Sequence, residues 1–356
     1  ALWVAVAGEA NRWSQLSPSG TAPRARNRHT SVWSDVADGM YVFGGSDGKR
    51  LNDLHFYDRQ ANRWSQLSPS GTAPTARYDH TSVWSDVADG MYVFGGYDGK
   101  CLNDLHFFDR QANRWSQLSP SGTAPTARDE HTSVWSDVAD GMYVFGGSDG
   151  FSWLSDLHFF DRQANRWSQL SPSGTAPRAR FSHTSVWSDV ADGMYVFGGW
   201  DDGFSWLNDL HFFDRQANHW SQLSPSGTAP AARSRHTSVW SDVADGMYVF
   251  GGHGGRHFNV LHFFDRQANR WSQLSPSGTA PAARDSHTAV WSDVADGMYV
   301  FGGYVGRNFL NDLHFFDRQT TIPKTTAAAA TTATTSQISP TSTPIVTQTQ
   351  ESCQLI

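Results

Sequence analysis

Residues 34–45, Ser-Asp-Val-Ala-Asp-Gly-Met-Tyr-Val-Phe-Gly-Gly, decide the fold, because this block occurs six times in the chain without a change. The successive copies end at Gly45, Gly96, Gly147, Gly199, Gly252 and Gly303. Their ends are 51, 51, 52, 53 and 51 residues apart. Self-similarity at a period of about 50 residues indicates a repeat architecture, in which similar units bury a common core by packing on one another.

One unit predicts four short β-strands, because β-branched and aromatic residues alternate between turn residues. In the first full unit these strands are residues 29–33, 40–43, 51–57 and 63–67, and the diglycine of the block breaks the chain between the second and the third. A four-stranded antiparallel unit cannot bury both faces alone. The sequence therefore predicts an all-β fold, a six-bladed β-propeller.

The two ends of the repeat region predict how the ring closes. Residues 11–16 repeat the fourth-strand sequence with no first strand before them, and the last unit stops at Gln319 without a fourth strand. We therefore expect the N-terminal strand to complete the sixth blade, burying Trp13 as the other blades bury residues such as Trp64. The predicted organisation is a lead-in over 1–10, which could be the remnant of a further unit, a propeller over 11–319, and a tail over 320–356.

Composition excludes several classes of function. A net charge of -7 provides no basic footprint for nucleic acid, and no apolar run is long enough for a transmembrane helix. The two cysteines, Cys101 and Cys353, cannot form a disulfide framework, so a reducing compartment is compatible and a cytoplasmic location is expected.

The units resemble kelch repeats, a resemblance that covers about residues 11–319. It rests on the diglycine after an apolar strand, on Asp-Leu-His-Phe-Tyr-Asp at 53–58 and on Asn-Arg-Trp at 62–64. The resemblance implies a propeller that usually binds proteins, as a scaffold or adaptor, with a minority of enzymes in the family. Val260 departs from the pattern by replacing the Asp found at Asp53, and the loops after Gly252 and Gly303 lack the Asp seen at Asp47. Less ordered loops are expected in those two blades.

Comparison of the six copies predicts a binding face. In an up-and-down blade, the connections before the first strand and after the second strand lie on one face of the disc. The opposite loops are almost identical in all copies, whereas two residues before each first-strand His and one after each diglycine vary. Tyr, Trp and Arg at such positions supply the rigid contact area that recognition surfaces favour. The predicted ligand-binding residues are Asn27, Arg28, Ser46, Tyr78, Asp79, Tyr97, Asp129, Glu130, Ser148, Phe181, Ser182, Trp200, Ser234, Arg235, His253, Asp285, Ser286 and Tyr304.

A protein or peptide ligand is the preferred interpretation, and its identity stays open. The same aromatic side chains could stack on sugar rings, so a carbohydrate-binding propeller is the second hypothesis. An oxidase- or epimerase-like enzyme is the third, but no nucleophile elbow, phosphate loop or cysteine cluster with metal-ligand spacing is present. No catalytic residue, cofactor or metal is therefore predicted. Two sets of histidines, equivalent to His29 and His55, and the arginines equivalent to Arg26 recur in every copy, which favours a structural role. Each histidine is expected to make a hydrogen bond within its own blade. The arginines are expected to pack or hydrogen-bond between blades.

From Thr320 onward the composition changes to Thr, Ala, Ser and Pro, which predicts a disordered tail. Its residues also allow an O-glycosylated stalk. The last four residues, beginning at Cys353, fit a prenylation pattern, although the usual upstream basic cluster is missing. A plain flexible tail is the preferred interpretation.

Overall fold

The structure is a computed structural model that describes residues 11–318. In this range the chain forms 31 β-strands and no helix, arranged in six sheets. Each sheet is one blade of a six-bladed propeller, as the repeats predict. The predictions made for residues 1–10 and 319–356, including prenylation of Cys353, lie outside the described residues.

The inner half of every blade consists of its first two strands, which pair antiparallel. The first strands of blades 1 to 6 are β3 Thr30–Ser34, β8 Thr81–Ser85, β13 Thr132–Ser136, β19 Thr184–Ser188, β24 Thr237–Ser241 and β29 Thr288–Ser292. The second strands are β4 Gly39–Phe43, β9 Gly90–Phe94, β14 Gly141–Phe145, β20 Gly193–Asp201, β25 Gly246–Phe250 and β30 Gly297–Val305. The first strands contact one another in sequence around the axis, and β29 contacts β3 to complete the circle.

The outer half adds two strands and a short bridge from the neighbouring unit. The third strands are β5 Leu54–Asp58, β10 Leu105–Asp109, β15 Leu157–Asp161, β21 Trp206–Asp214, β26 Leu261–Asp265 and β31 Asn308–Asp317. The fourth strands are β6 Arg63–Leu67, β11 Arg114–Leu118, β16 Arg166–Leu170, β22 His219–Leu223, β27 Arg270–Leu274 and, in blade 6, β1 Arg12–Leu16. Parallel bridges to them come from β2 Ser19–Gly20, β7 Ser70–Gly71, β12 Ser121–Gly122, β17 Ser173–Gly174, β23 Ser226–Gly227 and β28 Ser277–Gly278. Blade 4 has one further strand, β18 Arg180–Phe181, beside β20.

The N-terminal strand closes the ring. Strand β1 pairs antiparallel with β31, which places Trp13 opposite Phe316, and it pairs parallel with β28. Trp13 is as buried as Trp64, at 2% exposure each. The predicted completion of the last blade by the N-terminal segment is confirmed.

The core lies between blades rather than within them. Tyr41 and Phe43 of blade 1 pack against Met91 and Trp115 of blade 2, and the same set recurs at the other interfaces. Trp84 of blade 2 stacks on Tyr41, with ring centroids 5.1 Å apart and planes 11° apart. Because each blade covers the apolar face of the next, no blade can be removed without exposing two faces.

Two details of the strands differ from the prediction. In blade 1 the third strand begins at Leu54 rather than Leu51, because the Leu51 N–H donates to Gly45 O and ends a turn there. In blades 4 and 6 the second strand continues through the diglycine, with a register shift at that point. The loops of blades 5 and 6 that lack the Asp still form backbone hydrogen bonds, since the blade 6 loop is a paired hairpin and Phe258 N–H donates to Gly252 O in blade 5.

Each repeated arginine joins two blades. Arg26 is fully buried, its Nη1 and Nη2 each donate to one oxygen of Asp53 at 2.7 Å, and Nη1 also donates to Gly44 O at 2.9 Å. The Arg26 backbone N–H donates to Leu310 O of blade 6. His55 Nε2 lies 3.0 Å from Asp53 Oδ2. The same arginine–aspartate pair occurs in four other blades, as Arg77–Asp104, Arg128–Asp156, Arg180–Asp209 and Arg284–Asp312. The hydrogen bond between blades is thus made by the backbone N–H of each arginine, whereas the side chain bonds within its own blade.

Candidate binding face

The structure places all 18 predicted ligand-binding residues on one face of the disc, in two tiers. The outer tier consists of pairs of residues that face each other across a β-bridge, one pair in each blade. One member of each pair comes from the connection before the first strand, and the other follows the diglycine. The pairs are Asn27–Ser46, Tyr78–Tyr97, Asp129–Ser148, Phe181–Trp200, Ser234–His253 and Asp285–Tyr304.

The inner tier is a closed circle of backbone hydrogen bonds around the axis. Each member donates its N–H to the carbonyl of the member in the preceding blade, at 2.9–3.1 Å. All members have positive φ, between 50° and 54°, which turns their amides along the circle. The members are Arg28, Asp79, Glu130, Ser182, Arg235 and Ser286. The circle depends on backbone atoms alone, and so the side chains can vary from blade to blade.

The charged side chains of the inner tier pair with one another. Arg28 Nη1 lies 3.3 Å from Asp79 Oδ2, and Arg235 Nη2 lies 3.4 Å from Glu130 Oε1. The Ser182 hydroxyl donates to Glu130 Oε2 at 2.7 Å. Burial and the neighbouring Glu130 carboxylate raise the pKa of Asp79 well above its usual value. Both carboxylates of the inner tier therefore have partners within the chain.

One pocket of the face has a volume of about 790 Å³ and lies over blades 1, 2, 5 and 6. Eight predicted residues line it: Asn27, Arg28, Ser46, Tyr78, Arg235, Asp285, Ser286 and Tyr304. Four further lining residues were missed by the sequence reasoning: Gly48, Lys49, Arg50 and Phe309. Lys49 and Arg50 are exposed and vary between copies, which is the signal that could have identified them. We call this cavity the basic pocket.

A second pocket of about 240 Å³ lies between blades 4 and 5 and is mostly aromatic. Trp206, which the prediction missed, stands perpendicular to Trp200 at a centroid distance of 4.6 Å. The remaining lining residues are Phe181, Ser234, Arg235 and His253. The loop tips Phe151 of blade 3 and Phe204 of blade 4 are 98% and 75% exposed. Arg235 lines both pockets, so the two cavities are neighbours on one surface.

The other predicted residues occupy the same face outside these cavities. Asp79, Glu130 and Ser182 line a 160 Å³ cavity in the channel, between the inner tier and the ring of buried histidines. Tyr97, Asp129 and Ser148 lie in the outer tier away from the two pockets. Burial and the neighbouring Glu130 raise the pKa of Asp129 to about 6.

The six histidines at the start of the first strands are buried around the channel. Each Nε2 lies 2.8–2.9 Å from a threonine hydroxyl of the adjacent blade, for example His80 with Thr30. The expected hydrogen bond within the same blade is therefore wrong, and the bond instead connects blades. Burial lowers the pKa of His80 to about 3, so its ring is neutral at pH 7. Within residues 11–318, no group of three or more His, Cys, Asp or Glu is placed to hold a metal ion.

The described part of the chain has no helix that is long and apolar enough to cross a membrane. What the geometry defines is a closed six-bladed propeller with one constant face and one variable face that carries two pockets. The KLHDC2/KLHL20/DRC7 Kelch-repeats domain matches the sequence over residues 2–199, 52–252 and 188–350. The chain belongs to the kelch-repeat family, as its repeats indicated.

Similar proteins agree with this assignment. Kelch domain-containing protein 3 of Bos taurus is 31% identical over 324 residues, which cover 82% of this chain and 80% of that protein. The leucine-zipper-like transcriptional regulator 1 homolog of Drosophila melanogaster is 30% identical over 300 residues, and host cell factor homolog hcf-1 of Caenorhabditis elegans is 28% identical over 339. The matched segments cover 79% and 83% of this chain but only 29% and 42% of those two longer relatives. None of these three names denotes an enzyme.

Proposed function

We propose that this chain is a protein-interaction module that binds an acidic segment of a partner in the basic pocket of its variable face. The observation that carries the proposal is the convergence of eight independently varying positions on one 790 Å³ cavity. Cavities of about 300–1,000 Å³ are the usual size of ligand sites. Membership of the kelch-repeat family is consistent with a protein-interaction scaffold.

The charge of the lining favours an acidic ligand. Arg28, Lys49, Arg50 and Arg235 supply cationic groups, and Asp285 is the one carboxylate among the lining residues. Asp285 Oδ2 lies 3.1 Å from His257 Nδ1, on the side of the fifth blade. A partner carboxylate would therefore meet a cationic surface, although the chain as a whole has a net charge of -7.

The cationic groups differ in how free they are to bind. Arg28 and Arg235 already contact Asp79 and Glu130, so their contribution is shared with the inner tier. Lys49 and Arg50 have exposed side chains in the loop after the diglycine. No carboxylate of the described residues lies within salt-bridge distance of either, and we assign the main electrostatic contact to them.

Aromatic rings give the pocket its apolar walls. Tyr304 and Phe309 face each other across the hairpin of blade 6, with centroids 5.6 Å apart. On the opposite side, the Arg28 guanidinium lies 5.4 Å from the ring centroid of Tyr78. Rigid aromatic walls next to cations are the composition expected where a peptide side chain is anchored.

The test compares charge reversal in the pocket with the same reversal elsewhere. The variant K49E/R50E is expected to lose binding to a fluorescein-labelled Glu-rich decapeptide and to lose specific proteins retained from lysate. The control R63E/R114E changes the charge equally, but at exposed positions of outer strands, and should keep both activities. Both variants should keep the wild-type melting temperature.

Equal binding by K49E/R50E and wild type would refute the assignment of the basic pocket. The carbohydrate hypothesis rests on the aromatic pocket, and W200A separates the two. Loss of glycan retention in W200A, with peptide binding absent in the wild type, would favour the carbohydrate ligand.

A further inference from the structure

Blade 5 breaks the arginine–aspartate pattern at one buried site. Arg233 occupies the position of Arg26 and is 0% exposed, but Val260 stands where the other blades have aspartate. No Asp or Glu oxygen of the described residues lies within salt-bridge distance of Arg233. The guanidinium is thus the one buried arginine of this set that keeps its charge without a carboxylate.

The orientation of Arg233 is the same as in the intact blades. Its Nε donates to Ala231 O at 2.9 Å and its Nη1 donates to Gly251 O at 2.8 Å. These bonds correspond to those that Arg26 makes to the carbonyls of Arg24 and Gly44. Since two of the three nitrogens are fixed in the same way, Nη2 faces the place that a carboxylate oxygen takes in the other five blades.

A second buried group has lost the same partner. In the intact blades the third-strand histidine places Nε2 2.8–3.0 Å from the aspartate. His262 is 3% exposed and has no such partner. Its Nδ1, which lies near a threonine carbonyl in the intact blades, also makes no hydrogen bond among the described residues. Burial, with the charge of Arg233, lowers the pKa of His262 to about 4. A neutral imidazole and a cationic guanidinium therefore border the same position.

The aspartate position of the intact blades is partly open to solvent. The aspartate side chains of the intact blades are 21–25% exposed, and Val260 is also partly exposed. Phe258 covers the flat face of the Arg233 guanidinium at 4.4 Å from its ring centroid. Because the N–H bonds of a guanidinium lie in its plane, this contact leaves Nη2 free to donate.

We propose that blade 5 binds a small monovalent anion, such as chloride, between Arg233 Nη2 and the His262 ring, in place of the missing carboxylate. A buried charge without a counter-charge is unfavourable, and an anion from solvent would supply it. Burial lowers the pKa of Arg233 only to about 10, so the group stays cationic at neutral pH.

The experiment measures the melting temperature of the full chain in sodium bromide and in sodium gluconate at equal ionic strength. A tenfold excess of bromide over its Kd corresponds to about 1.4 kcal/mol, or a rise of about 2 °C. The variant V260D supplies the carboxylate within the chain. It should melt higher than the wild type in gluconate and lose the bromide-dependent rise.

Bromide also provides a direct test in crystals of the wild type. An anomalous peak within hydrogen-bond distance of Arg233 Nη2 is expected, and no equivalent peak is expected at Arg26. Absence of the peak at Arg233, or a bromide-dependent rise of the same size in V260D, would overturn the proposal. A peak at Arg233 without any effect of bromide on the melting temperature would indicate an adventitious ion only, and would also overturn the proposal.

Discussion

Replacement of Trp13 by alanine tests how tightly the N-terminal strand closes the ring. Trp13 is 2% exposed and contacts Phe250 and Phe316 at centroid distances of 5.2 and 5.3 Å. Trp64 has the same exposure and lies 5.2 Å from Phe301. Since the two environments match, W13A and W64A are expected to destabilise the protein equally, although only Trp13 lies on the strand that begins the described chain.

The magnitude follows from the buried area. A buried tryptophan removes about 150–250 Å² from water, which at about 25 cal/mol per Å² corresponds to ~4–6 kcal/mol. Measured large-to-small substitutions give about 3–5 kcal/mol. With an unfolding entropy of about 2.1 cal/mol/K per residue over roughly 310 residues, a loss of about 4 kcal/mol lowers the melting temperature by ~6 °C.

Differential scanning calorimetry of W13A, W64A and the wild type measures both shifts. A decrease for W13A that is less than half of the decrease for W64A would show that strand β1 frays from the sixth blade before the ring unfolds. Equal decreases support a ring in which the closing strand is as stable as the others.

Three further predictions concern acid, the channel and the exposed loop tips. Burial lowers the pKa values of the buried histidines, to about 3 for His80, His183 and His287. Burial alone would raise the pKa values of the arginine-bound aspartates, but their hydrogen bonds to arginine and histidine outweigh it and lower these pKa values. Both groups contribute stability that is present above their unfolded pKa values. The melting temperature should therefore fall from about pH 6.5 downward because of the histidines, and again below about pH 4 because of the aspartates. An unchanged melting temperature between pH 7 and 5 would contradict buried neutral histidines. In the channel, five threonine hydroxyls lie 2.6 Å from a serine hydroxyl of an adjacent blade, but Thr237 meets Ala289 at that position. A289S should restore the sixth bond and stabilise by about 0.5–1.5 kcal/mol, measured by urea unfolding, and a destabilised variant would show that the position cannot accept a hydroxyl. F151S should change stability by less than about 0.5 kcal/mol, because Phe151 is 98% exposed; a larger decrease in urea unfolding would show that this ring packs on the protein.

Much of the fold follows from the sequence because the repeats encode it six times. The period predicts the number of blades, and the unpaired fourth-strand sequence at the N-terminus predicts the closure by Trp13. The extension of β20 and β30 through the diglycine could not be predicted, because the block itself is identical in all six copies. That difference arises from the following residues, which form hairpins such as Val305 opposite Asn308.

The candidate site was predictable in its location but not in its chemistry. Variation between copies identified positions on one face, and the bridge of Asn27 with Ser46 shows why the two varying segments lie together. Sequence could not show that Arg28 pairs with Asp79, because these residues are 51 positions apart and meet only when the ring closes. The sequence also could not show that Lys49 and Arg50 are freer to bind a ligand than Arg28 and Arg235, because this depends on whether a carboxylate lies within salt-bridge distance in the folded chain.

The inner tier explains how such variation is possible without loss of the fold. A non-glycine residue at positive φ is disfavoured, and the circle uses six of them. Each of these residues donates its amide to the preceding blade, and that bond is the same for Arg28, Asp79 and Ser286 because it involves no side-chain atom. Substitution at this tier therefore changes the chemistry of the face while the backbone circle persists. Blade 5 shows the opposite case, because Val260 interrupts a network built from side chains and leaves Arg233 with hydrogen bonds to two backbone carbonyls.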